Sequence, residues 1–114
     1  MTSALLVRAD IADKLVTGQF LGEVRKMSCK SKVGTTIYIA KCGAKKIIGQ
    51  VTVKSCTKIT YEQRNGLIAQ NIVGHCPTQN LGDRYFWEFT DAKQFEQPIT
   101  YSHPRGAQIW VKLP

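Results

Sequence analysis

Glu23 and Arg25 stand two positions apart in a stretch, Phe20 to Met27, whose pattern reads as extended chain. On such a chain side chains at i and i+2 project from the same face, so carboxylate and guanidinium fall side by side. The guanidinium then offers a planar fork of donors to a phosphate or a base edge, and the carboxylate accepts from an exocyclic amine or fixes the arginine by an ion pair. The same two residues also suit an ordinary exposed strand pair, worth no more than about 1 kcal/mol. A second group is cationic. Lys41, Lys45 and Lys46 flank a turn around Gly43, and Lys30 and Lys32 lie in the preceding Ser-rich loop, extending the same surface. Lysines on turns supply point charges without fixed hydrogen-bond geometry, which suits phosphate contact that adds affinity and salt sensitivity more than sequence selectivity.

Other chemistry is sparse. Cys29, Cys42, Cys56 and Cys76 are irregularly spaced, with no Cys-x-x-Cys and no His-x-x-x-His, so packed, reduced thiols are expected and neither a metal nor a cofactor is. His75 and His103 lie in loop-like sequence without a visible catalytic partner. Gly-x-Ser-x-Gly, phosphate-loop and His-Glu-x-x-His motifs are absent, and the carboxylates are too scattered to nominate a hydrolytic pair.

The elements that position these groups follow from periodicity. Ser3 to Arg8 alternates as an opening strand, and Asp10 reads as the N-cap of a two-turn helix with Ile11 and Leu15, Ala12 and Val16 at i, i+4, ending at Gly18. Thr35 to Lys41 and Lys46 to Cys56 form a hairpin, Ile37 and Ile39 marking one face of its first strand. Tyr38, on the other face, fits either a second buried face or an exposed stacking platform. A weak helix follows over Tyr61 to Ile72, then irregular chain from Gly74 to Asp83 and a strand from Tyr85 to Phe89. Pro98 to Gly106 reads as a loop, and Gln108 to Leu113 closes the chain as a strand. Trp87 and Trp110 are assigned to the core on size. Mainly β structure with two short helices, an α+β pattern of about six strands, points to a twisted, barrel-like sheet, because closure removes exposed edges.

Charge bounds the partner. Residues 1–60 carry eleven basic and three acidic side chains, whereas residues 61–114 carry five of each, so the whole net charge of +8 lies in the first half. With 43% apolar residues in 114, the chain has material for one packed domain spanning 1–114 and is unlike a disordered basic tail. Such an excess serves either as a solvated, solubilising face or as a polyanion site, with nucleic acid the first partner class. No signal-peptide core or membrane-length apolar run is present, which leads us to expect a cytoplasmic protein without a membrane partner.

Gly18, Glu23 and Arg25, then Gly34 with Ile37 and Ile39, Gly49 with Val51 and Val53, and finally Pro98, Ile99, Gly106 and Trp110 occur in an order that resembles the ASCH domain of the PUA-like β-barrel superfamily. The resemblance spans nearly the whole chain. It implies a pseudo-barrel with a cleft beside the Glu-x-Arg strand, recognition of RNA or a modified nucleobase, with RNA favoured over DNA, and a polar cleft residue at Arg8. Some members are similar to amidohydrolases acting on N4-acetylcytidine, with the motif Gly-x-Lys-x-x-(Glu or Thr)-x-Arg. Here the Lys position is Phe20 and the Glu/Thr position is Glu23. An aromatic ring cannot transfer a proton. Its face stacks on a base at roughly 1–3 kcal/mol, or it packs in the core. The chain therefore reads first as a nucleic-acid-binding module, with a small hydrolase (N4-acylcytidine amidohydrolase-like or ribonuclease) as one alternative and a protein-interaction module acting on a ribonucleoprotein as another. If the lysine hairpin contacts phosphate, Lys45→Glu combined with Lys46→Glu lowers RNA affinity and flattens its salt dependence; unchanged binding at low salt contradicts this.

Overall fold

A computed structural model describes residues 3–74, 84–103 and 109–112. Its elements are β1 (Ser3–Val7), α1 (Ala9–Val16), β2 (Gly22–Arg25), a short 3-10 turn (Lys30–Lys32), β3 (Thr36–Lys41), β4 (Lys46–Ile59), α2 (Tyr61–Ala69), β5 (Arg84–Thr100) and β6 (Trp110–Lys112). The strands form one six-stranded sheet in the order β2-β5-β4-β3-β1-β6. β1 and β3 are parallel, and the other neighbours are antiparallel. The long β4–β5 ladder changes register between Ile47 and Gly49, Gln50 and Thr52, and Val53 and Ser55. Each irregularity adds local bend and twist, and together they curl the sheet into a half-barrel.

The concave side is filled by Leu5, Val7, Ile37, Ile39, Val51, Val53, Trp87 and Phe89, against which α1 lays Ile11, Ala12, Leu15 and Val16. A smaller cluster of Ala4, Leu6, Ala40, Ile47 and Val111 occupies the other side, with Tyr38, Phe95 and Tyr101 half-buried on it. Tyr38 meets Phe95 edge-on at 5.8 Å between ring centres, so it belongs to a second packed face. Trp87 and Trp110 stack at 5.9 Å with ring planes 17° apart, joining β5, next to one edge strand, to β6, the other edge strand. Trp87 is fully buried and donates its indole N–H to the Met27 carbonyl at 2.9 Å.

Several sequence expectations change. Arg8, not Asp10, is the N-cap of α1; Asp10 sits in the first turn, where hydrogen bonds from Arg8 hold its carboxyl below the ordinary range. Gly18 follows the helix at φ +79°, a conformation that favours glycine, and donates its N–H to the Leu15 carbonyl at 3.2 Å. α2 ends at Ala69 and opens with a capping box between Thr60 and Gln63. β5 runs on to Thr100, so Pro98 lies within a strand and not in a loop. Pro98 has no N–H to give a ladder, and it falls where the pairing skips from Gln94 to Ile99. The expectations for His75, Cys76, Gly82, Pro104, Gly106 and Leu113 lie outside the described residues.

α1 can approach β4 closely because position 49 is glycine. A Cβ there would lie 2.3 Å from the Lys93 carbonyl oxygen and 2.6 Å from Val16 Cγ1. Gly49→Ala is expected to destabilise the fold by about 1–3 kcal/mol, whereas Gly66→Ala, in open space on α2, is expected to be neutral or stabilising by about 0.5–1 kcal/mol. Thermal denaturation of the two variants separates these outcomes.

Candidate functional site

The ends of β1 and β2, the residue after β3, and α2 converge on a cleft of about 460 Å³. β1 contributes Leu6 and Val7 and leads into Arg8; β2 contributes Glu23, Val24 and Arg25 and leads into Lys26; Cys42 follows β3. α2 adds Arg64 and Ile68, one helical turn apart, and Arg84 opens β5. Among the described residues the lining therefore holds four arginines and one lysine against one carboxylate, Glu23, over a floor of Ile11, Val73 and Gly74.

Arg25 is held on two sides. Its Nε donates to Glu23 Oε2 at 2.9 Å and its Nη2 to Glu23 Oε1 at 3.2 Å. The same Nη2 donates to the Leu6 carbonyl at 2.7 Å, tying edge strand β2 to β1 across the open side of the half-barrel. The guanidinium carbon also lies 5.8 Å from the Trp87 ring centre, and Lys32 Nζ lies 5.3 Å from that of Trp110. Each tryptophan of the stacked pair therefore has a cation within reach of its ring. Burial pushes the Glu23 carboxyl above its ordinary value, against the charge and hydrogen bonds of Arg25 and the more distant charge of Arg8.

The sequence candidates separate into four groups. Arg8, Glu23 and Arg25 come together in the cleft. Phe20 does not line it: the ring is half-buried against the core, touches the Gly74 position, and carries the Lys14 ammonium 5.1 Å from its centre. The hairpin lysines stand beside the cleft, because Cys42 in their turn lines it. Lys41 pairs with Asp13 at 2.9 Å, Lys46 donates to Thr100 at 2.6 Å, and Lys45 is exposed. Lys30 and Lys32 precede β3 whereas Lys41 ends it, so a strand of ~17 Å lies between the two groups. Lys32 is engaged with Ser3 and Trp110.

Arg64 and Arg84 escaped sequence reasoning. Arg64 and Ile68 at i, i+4 were the available signal, but a charged residue on the inward face lowers the helix's apolar periodicity and hides that face. The cysteines form a separate feature. Cys56 Sγ accepts from the Cys29 N–H at 3.1 Å and contacts Ser28 Oγ at 3.4 Å. Burial, followed by the neighbouring Cys56, pushes the Cys29 thiol up to about 12. Burial opposes ionisation of Cys56 too, yet Ser28, the Cys29 backbone and thiol, and Lys30 together hold its thiol below the ordinary value.

The chain superimposes on crystal structures of the ASCH protein of Zymomonas mobilis with a TM-score of 0.78 at 12% identity, covering 99% of this chain and 87% of that one. Two single-residue variants of the same protein give TM-scores of 0.78 and 0.72 at 13% and 14% identity, with 99% of this chain and 90% and 88% of those chains covered. No family model and no curated protein matches the sequence. The likeness is one of fold: the curled six-stranded sheet with two helices is that of the ASCH structures. Among the described residues no helix is long and apolar enough to cross a membrane.

The ion pair makes a pH prediction. A carboxyl whose folded value is raised contributes stability that is full below the ordinary value of 4.5 and is lost as pH rises through the raised one. Glu23→Gln cannot ionise, so from roughly pH 4 to pH 8 the stability difference should move in favour of the variant. Arg25→Met leaves the carboxylate without its counter-charge and should cost on the order of 3 kcal/mol at neutral pH. Thermal melts across that pH range would contradict this assignment if Glu23→Gln tracked the unsubstituted protein in parallel.

Proposed function

We propose that this ASCH-type chain is a nucleic-acid-binding module that holds a nucleotide in the cationic cleft. The observation that carries the reading is the gathering of Arg8, Arg25, Lys26, Arg64 and Arg84 around one small concavity, against Glu23 alone among the described lining residues. Like charges crowded in a cleft repel one another and focus a positive potential outward, which favours a polyanion. A cleft of about 460 Å³ falls in the size range of small-ligand sites. A splayed-out base with its sugar and phosphate suits that scale, whereas a duplex does not. Within the cleft Glu23 fixes Arg25, and Lys45 at the neighbouring turn supplies phosphate contact outside it. Single-stranded RNA is the preferred form on the strength of the ASCH-type resemblance.

A hydrolytic reading has one specific observation in its favour. Lys26 lines the cleft together with Glu23, so a lysine adjoins the site although position 20 is aromatic. Release of acetate and cytidine from N4-acetylcytidine, abolished by Lys26→Ala, would support it, and no turnover at high protein concentration would remove it.

The binding reading is tested by fluorescence anisotropy with labelled single-stranded RNA and DNA over a salt series. Affinity should fall steeply with salt, RNA should bind more tightly than DNA, and Lys26→Glu should flatten the logarithmic salt slope by about 0.7 for each phosphate that is no longer neutralised. Absence of binding at low salt, or binding indifferent to salt, contradicts the proposal.

A further inference from the structure

Arg64 is only 4% exposed, and neither its Nε nor its Nη1 has a hydrogen-bond partner among the described residues. A buried polar group left without a partner is a rarity in folded proteins and an expensive one. The position of this group is nevertheless well defined. Its carbon lies 4.9 Å from the ring centre of Tyr61, three residues back on α2, so the aromatic face supports the cation without supplying an acceptor. Arg64 lines the cleft, as does Arg84, itself 9% exposed, at the start of β5. Glu23, the carboxylate in the same lining, already has both oxygens on Arg25.

What would satisfy Arg64 is therefore an acceptor brought into the cleft from outside. Two vacant nitrogens call for more than one oxygen. The surplus of cations calls for more than one negative charge. A phosphate monoester meets both requirements, with three terminal oxygens and a charge of about −1.5 to −2 near neutrality. An internal phosphodiester, with two terminal oxygens and a single charge, meets them less well. We infer that Arg64, supported by Tyr61, is the receptor for a terminal phosphate, so that the cleft takes a nucleoside monophosphate or the phosphorylated end of a strand. This rests on the reading that the cleft holds a nucleotide, and it adds which part of the nucleotide enters first.

An unpaired buried charge makes a prediction that a merely structural arginine would not. Replacing it with an apolar chain of similar length removes the desolvation cost in the empty protein while removing the phosphate receptor. In thermal-shift and calorimetric titrations, uridine 5′-monophosphate should stabilise the unsubstituted protein, and uridine should not. Arg64→Met should melt no lower than the unsubstituted protein when empty, and should bind uridine 5′-monophosphate about tenfold to a hundredfold more weakly. Arg64→Lys, which keeps the charge but not the fork, should fall between them and serves if the methionine variant does not fold. A lower melting point for empty Arg64→Met, or an undiminished response of the folded variant to the monophosphate, would overturn the inference. A parallel titration with one oligoribonucleotide, with and without a 5′-phosphate, separates the two levels. Equal binding of both forms would leave the nucleic-acid reading standing and defeat the terminal-phosphate receptor. Response to the monophosphate through Arg64 with no oligonucleotide binding would do the reverse.

Discussion

The Arg25 guanidinium does two jobs with one planar group. Through Nε and Nη2 it holds both oxygens of Glu23, and through the same Nη2 it reaches the Leu6 carbonyl across the open side of the sheet. A six-stranded half-barrel has two edges, β2 and β6, and a curled sheet left open there would expose its core. Arg25 ties β2 to β1, and the Trp87–Trp110 stack beneath it ties β5 to β6. The closure is made by side chains instead of a backbone ladder. Because it is local, the sheet is sealed at these points and remains open beside them as the cleft.

That arrangement sets a tension between stability and binding. Arg25 is satisfied; Arg64 has two buried nitrogens without partners among the described residues; Glu23 is pushed above its ordinary value by burial. These groups would be cheaper as apolar side chains, since burying charge seldom adds stability over a well-packed hydrophobic alternative. The apolar requirement is met mainly elsewhere, by Leu5, Ile37, Ile39, Val51 and Val53 on the sheet and Leu15 and Val16 on α1. Core and cleft meet at Leu6, Val7, Ile11 and Val73, which are buried and also line the cleft.

How much of this was legible in the sequence follows from where burial leaves a mark. α1 and the β3–β4 hairpin show it plainly, because Ile11 with Leu15 and Ile37 with Ile39 repeat at the period of their element and face one core. The pairing of Glu23 with Arg25 is equally local, a consequence of two-residue spacing on a strand. The far half of β5 left no such mark: from Thr90 to Thr100 only Phe95 is half-buried, and the strand is held by its ladder to β4. Pro98 reinforced the wrong impression. Arg64 and Arg84 were hidden for another reason. They lie twenty residues apart in the half of the chain with no net charge, and only the fold brings them to Arg8 and Arg25. Charge counting along the chain located the lysine hairpin and missed the arginine cleft.

The central claim is that the arginine cleft, rather than the lysine hairpin, receives the nucleotide. It is tested most directly by following the arginine Nε–Hε resonances and backbone amides of the isotopically labelled protein during titration with uridine 5′-monophosphate. The Arg64 Nε–Hε signal should shift, Arg25 should remain unmoved because Glu23 already holds it, and amides of residues 43–45 should move little. Shifts confined to residues 41–46, with the Arg64 signal unchanged at saturation, would contradict it.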